Sequence, residues 1–104
     1  MADVVKIVQK VADIYVEGVC GFSKTPTGIT IYPRGPQNQL YTQLPVKVSA
    51  NSSGLSIAAS WRSFPQVKID WNKNPEVAVE KALDNIMGIV YEEAVKRKLD
   101  IYKF

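Results

Sequence analysis

The chain has 104 residues and a net charge of +3, with ten carboxylates, thirteen Lys and Arg and no histidine. That length builds one domain, taken as 1–104, with a modest core, and an apolar fraction of 46% argues against disorder or a fibrous repeat. No apolar run is long enough to cross a bilayer, and the lone Cys20 allows neither an intrachain disulfide nor an all-cysteine metal site, so the expectation is a cytoplasmic protein without membrane attachment.

The first predicted element is a helix from Asp3, its expected N-cap, to Val16. Val4, Val8, Val11, Ile14 and Tyr15 form one stripe, widened by Val5, Ile7 and Ala12. Charges at Asp3, Lys6, Lys10 and Asp13 break any signal-peptide pattern. Gly18 and Gly21 then end the periodicity. Four strands follow by alternation: 28–34, 44–50, 55–62 and 66–71. SANSSG and SFPQ carry turn chemistry for two hairpins, which implies an antiparallel meander. The longer connection PRGPQNQLYTQ reads as an exposed loop that presents Arg34 between two prolines. A second helix runs from Pro75 to Lys98, with Asn74 as cap, Glu76 in the first turn and Lys96, Arg97 and Lys98 in the last. Its main apolar face is Val79, Ala82, Leu83, Ile86, Met87, Val90 and Ala94. The predicted order α-β-β-β-β-α gives a two-layer α+β fold, with both helices on one face of a four-stranded sheet.

Strand parity sorts the side chains between the faces of that sheet. Ile29, Ile31, Leu44, Val46, Val48, Leu55, Ile57, Ala59, Trp61, Val67, Ile69 and Trp71 point toward the helices. Both tryptophans are therefore assigned to the core unless a bulge shifts the register. The opposite face receives Thr30, Tyr32, Arg34, Lys47, Ser49, Ser56, Ala58, Ser60, Arg62, Lys68 and Asp70, with Phe64 and Tyr41 near its rim. Its charge is one-sided, because residues 18–69 hold no carboxylate while Lys24, Arg34, Lys47, Arg62 and Lys68 supply five cations. Cations beside a few aromatic faces are what single-stranded nucleic acid needs. An ordinary solvated face, or one covered by a second copy of the chain, has the same composition.

The second helix carries a weaker apolar strip of Val77, Gly88, Tyr91 and Val95. Glycine inside a helix costs ~1 kcal/mol relative to alanine, and close approach of another backbone is one compensation. A homodimer or higher oligomer through Gly88, Tyr91 and Val95, joined by Ile101, Tyr102 and Phe104, is the expectation. The same strip could instead pack on the first helix or under the C-terminal tail.

Enzyme chemistry finds little support. Without histidine the usual general base and the commonest metal ligand are missing. Cys20, in GVCGF, has no partner base and reads as a small buried residue. No HExxH, Walker A or GxGxxG pattern occurs, and RNP and zinc-finger spacings are absent as well. No catalytic residue, cofactor, metal or small-molecule substrate is expected.

The order of elements, the stretch SWRSFPQVKIDW and the pair Tyr32 and Arg34 resemble the thermophilic archaeal single-stranded DNA-binding proteins of the ThermoDBP type. The resemblance covers nearly the whole chain but rests on no diagnostic motif. It implies a four-stranded antiparallel sheet with helices, oligomerisation, and binding in a cleft of basic and aromatic residues. On that implication Trp61 and Trp71 line a cleft and touch bases, against the parity assignment. The expected function is single-stranded DNA or RNA binding by Tyr32, Arg34, Lys47, Trp61, Arg62, Phe64, Lys68 and Trp71. The alternative is a structural or protein-interaction subunit, such as a virus- or plasmid-encoded one, that homo-oligomerises.

Overall fold

A computed structural model describes residues 2–101, apart from the side chains of Ala2 and Asp3. The helix already includes Ala2, so Asp3 lies within its first turn and is not the cap expected from the sequence. The interface roles of Tyr102 and Phe104 lie outside the described residues. Helix α1 spans Ala2–Val11 and continues into a π-helical turn, Ala12–Val16. Five strands follow: β1 Gly21–Thr25, β2 Gly28–Tyr32, β3 Val46–Asn51, β4 Gly54–Ala58 and β5 Val67–Lys68. Helix α2 closes the fold over Pro75–Lys96.

The sheet is an antiparallel meander in the order β1-β2-β3-β4-β5, so the α+β class holds with one strand more than expected. The additional strand is β1, which pairs Gly21 with Tyr32 and Thr25 with Gly28 across a two-residue turn at Pro26-Thr27. Parity is correct for the middle strands. Ile29, Ile31, Val46, Val48 and Leu55 are fully buried with Leu44, against Val8, Val11, Ala12 and Val16 of the first helix and Val79, Leu83, Ile86 and Val90 of α2. α1 lies against β2 and β3, and α2 packs beside α1 and the π-helical turn.

The first helix departs from its predicted face at the π-helical turn. That turn holds an extra residue and advances the register, so Ala12 and Val16 become the inward positions while Ile14 is 59% and Tyr15 44% exposed. Asn74 precedes α2 in the left-handed region at φ 43°, and its side chain makes no cap hydrogen bond, contrary to expectation. Pro75 and Glu76 open the helix as predicted, with Glu76 Oε2 3.3 Å from Lys10 Nζ.

The hairpin joining β3 to β4 is set by Asn51. Its Oδ1 accepts from the backbone N–H groups of Ser53 at 2.9 Å and Gly54 at 3.0 Å, an Asx turn that aligns Asn51 with Gly54. Gly54 has φ +147°, and a Cβ there would lie 1.9 Å from the Val67 carbonyl oxygen. Close approach of β5 to β4 therefore requires glycine at this position.

Candidate nucleic-acid interface

The sheet face away from the helices carries Ser23, Thr25, Thr30, Tyr32, Lys47, Ser49, Ser56, Ala58 and Lys68 by register. Thr27 and Ser49 hydroxyls meet across it at 3.2 Å. Lys47 pairs with Ala58 at its centre, and both are exposed. The small-residue floor is thus as parity predicts, with Asp70 beyond β5 at its margin. Its cations are fewer than predicted, because two of the four arginines and lysines leave it.

Arg34 is the first to leave. β2 ends at Tyr32, and Arg34 then forms an isolated bridge with Leu40. The loop folds back over this end of the sheet, placing the Leu40 side chain where a Cβ on Gly21 would lie, 2.2 Å from Leu40 Cδ2. Arg34 is half-buried, and its Nε is enclosed without a hydrogen-bond partner among the described residues. It is not presented to solvent on a rigid turn, which corrects that expectation.

Cys20 lies close enough to feel the Arg34 charge. Burial pushes its thiol up from an ordinary 9.0 to about 11, against the opposing effects of a Tyr91 hydrogen bond and the Arg34 guanidinium. The folded state therefore keeps a proton that the unfolded chain releases above pH 9, and stability falls as pH rises through that window. The loss between pH 9 and 11 is expected to reach about 2–3 kcal/mol. Urea midpoints across the window should drop for the natural chain relative to Cys20→Ala, and parallel curves for the two would contradict this.

Arg62 leaves the face for a different reason. β4 stops at Ala58, and Ser60-Trp61 forms a turn closed by a bridge between Ala59 and Arg62. The predicted strand over 55–62 is thus shortened, and its last side chains are re-aimed. Trp61 is half-buried and donates from Nε1 to the Pro45 carbonyl at 3.1 Å. Phe64 meets it edge-on, with ring centroids 6.0 Å apart, and Arg62 Cζ lies 5.9 Å from the Phe64 centroid. Trp61, Arg62 and Phe64 therefore cluster beyond the end of β4, while Lys47 stays on the open face, paired with Ala58 next to the Ala59–Arg62 bridge.

Trp71 belongs elsewhere. It follows β5, is half-buried, and donates from Nε1 to the Asn51 carbonyl at 2.8 Å, fastening the β3–β4 hairpin. Both indoles are half-buried and pack against the edge of the core with satisfied N–H groups. Neither lies in a strand or in the buried interior, so the core assignment is met only in part. Tyr32 is half-buried on the open face beside Gly21.

Beyond Arg62 a groove of about 410 Å³ runs between residues 62–69 and α2. Ile57, Phe64, Val67, Ile69, Ala82, Ile86 and Ile89 make its apolar lining, with Arg62, Lys68 and Lys81 as its cations and no carboxylate. Ion pairs among the described residues join Lys10 to Glu76, Lys24 to Asp13 and Arg97 to Glu93. Lys47, Arg62, Lys68 and Lys81 are in none of them. Lys81 was not singled out from the sequence, where it reads as a solvated helix charge; the small residues Ala78 and Ala82 beside it were the available signal for a depression. Arg97, hydrogen-bonded at 2.8 Å, holds the Glu93 carboxyl below its usual range, and Arg62 adds a smaller effect from across the neighbouring surface.

The oligomer strip of α2 divides in the same way. Gly88 and Val95 are exposed, with Val95 at 61% and Val77 at 52%. Tyr91 is buried and donates its hydroxyl hydrogen to the Val19 carbonyl, and Ile101 is 8% exposed within the core. These two side chains serve the chain's own interior, which corrects their assignment to an outer interface. A Cβ on Gly88 would meet nothing within 4 Å, so no close approach among the described residues accounts for that glycine.

Compared with protein-family models, curated proteins and solved structures, the chain finds no match in any of the three. No helix among the described residues is long and apolar enough to cross a membrane. No cluster of three His, Cys, Asp or Glu suited to a metal occurs among them.

Proposed function

We propose that the protein binds single-stranded nucleic acid across the end of the sheet formed by Lys47, Trp61, Arg62 and Phe64. One observation carries the reading: exposed Arg62 stands 5.9 Å from the Phe64 ring of an edge-on aromatic pair and exposed Lys47 rises from the adjoining open sheet face, neither cation in an ion pair among the described residues. Lys47 and Arg62 neutralise phosphates, and the accessible parts of Trp61 and Phe64 offer π-faces to bases. Stacking of this kind contributes ~1–3 kcal/mol per base. Tyr32 and Lys68 extend the path at its two sides, whereas Trp71 and Arg34 act through the fold.

Titrating Trp71→Phe with a thymidine oligonucleotide isolates Trp61 fluorescence. Quenching is expected, with an affinity that falls as salt rises because bound phosphates release counterions. No binding at low salt, or an affinity indifferent to salt, removes the proposal. A second reading, a self-associating subunit, is favoured by the exposed Val77, Gly88 and Val95 along α2. It expects an assembly whose sedimentation is concentration-dependent and unaffected by the oligonucleotide.

A further inference from the structure

The groove between β5 and α2 has features that nucleic acid does not require. Its floor is aliphatic, from Val67, Ile69, Ala82, Ile86 and Ile89, rather than a stack of aromatic faces. One of its walls is an edge strand. Ile69 donates its N–H toward Ser53 at 3.2 Å, on the β4 side. Peptide groups alternate in direction along a strand, so Lys68 turns its own N–H and C=O toward the free edge. That edge borders the groove, and such a row is a template for another chain. From Ala78 to Ile89 the helical wall runs about 16 Å, the length of about five extended residues.

Charge selects the kind of chain. Arg62 stands at the Ile89 end, Lys68 and Lys81 stand toward the other, and no lining residue is acidic. We infer that this groove binds an extended peptide segment of a partner protein, alternating apolar and acidic residues, as an added strand on β5. Main-chain hydrogen bonds to Lys68 set its register, as in other strand-addition complexes. Alternate apolar side chains enter between β5 and α2, the intervening carboxylates turn toward Lys68 on the other face of the sheet, and Lys81 and Arg62 draw the acidic segment in from the groove's rim. The partner site overlaps the nucleic-acid path at Arg62, Phe64 and Lys68, whereas Lys81, Ala82 and the aliphatic floor belong to the groove alone.

A short fluorescein-labelled peptide alternating leucine with glutamate tests this by fluorescence anisotropy with the full chain. Binding is expected for that peptide and not for its lysine counterpart. Lys81→Glu, at an exposed residue that forms no ion pair among the described residues, should weaken it at least about tenfold, and Ala82→Trp should do the same by filling the floor. Both variants should leave oligonucleotide affinity within about twofold. Amide shifts on peptide addition should concentrate at Val67–Ile69 and Ala78–Ile89. Equal binding of the lysine peptide, or no binding, overturns the inference. So does an oligonucleotide that competes for the same amides, which would make the groove part of the nucleic-acid path. If the peptide binds as expected but no oligonucleotide does, the inference stands while the function proposed above falls.

Discussion

Reversing Lys47 and Arg62 together, as Lys47→Glu with Arg62→Glu, is expected to lower oligonucleotide affinity at least about 100-fold at low salt. Each phosphate contact on a single strand contributes about 0.7 to the slope of log affinity against log salt, so that slope should become shallower by about 1.4. Both side chains are exposed and neither takes part in an ion pair among the described residues. Stability should therefore change by no more than about 0.5 kcal/mol for each substitution. This separates binding from folding: a matched thermal transition with lost affinity supports the interface. Unchanged affinity in a folded double variant removes Lys47 and Arg62 from it.

The second large effect is on stability and has opposite signs at two glycines. Gly54→Ala places a Cβ 1.9 Å from the Val67 carbonyl oxygen and 2.8 Å from the Ile69 nitrogen, at φ +147°. Neither backbone atom can move without detaching β5 from β4. A cost of about 3 kcal/mol or more is expected from the overlap and the strained φ together. At about 4–8 °C per kcal/mol for a domain of this size, Tm should fall by about 12–24 °C. Gly88→Ala, whose Cβ meets nothing within 4 Å, should instead raise stability by up to about 1 kcal/mol as a helix-interior replacement. Thermal denaturation followed by circular dichroism reads both. A Gly54→Ala chain as stable as the natural one would mean that β5 is not held against β4 as described.

Alternation in the sequence revealed the central strands because their inward positions are filled by large aliphatic residues. Ile29, Ile31, Val46, Val48 and Leu55 each bury fully on one face. β1 escaped the same reading because Gly21–Thr25 offers one inward apolar residue, Phe22. Its other inward position is Lys24, whose amine reaches Asp13 at 3.0 Å instead of entering the core. Ile14 and Tyr15 were misassigned because a constant helical period carries no sign of a local change in winding.

The candidate site was legible only in part, for a related reason. Parity extends a strand as far as its pattern allows, whereas the turn at Ser60-Trp61 stops β4 and sends Arg62 toward α2. The sequence places Trp61, Arg62 and Phe64 in one neighbourhood, but their mutual contacts depend on that turn. Lys81 joins the groove through tertiary packing alone, which no local pattern encodes. Arg34 and Tyr91 look like surface residues in the sequence. Arg34 becomes half-buried because the loop after β2 folds back, and Tyr91 becomes buried where the end of α2 reaches Val19.

The widened winding at Ala12–Val16 makes this segment a reservoir of chain length. Removing Ile14, which is solvent-facing, would let an ordinary turn form with Val11, Ala12 and the present Val16 still on one side. Homologues with a one-residue deletion here could therefore share the same interior, whereas a deletion inside β3 or β4 would transpose every inward and outward position beyond it.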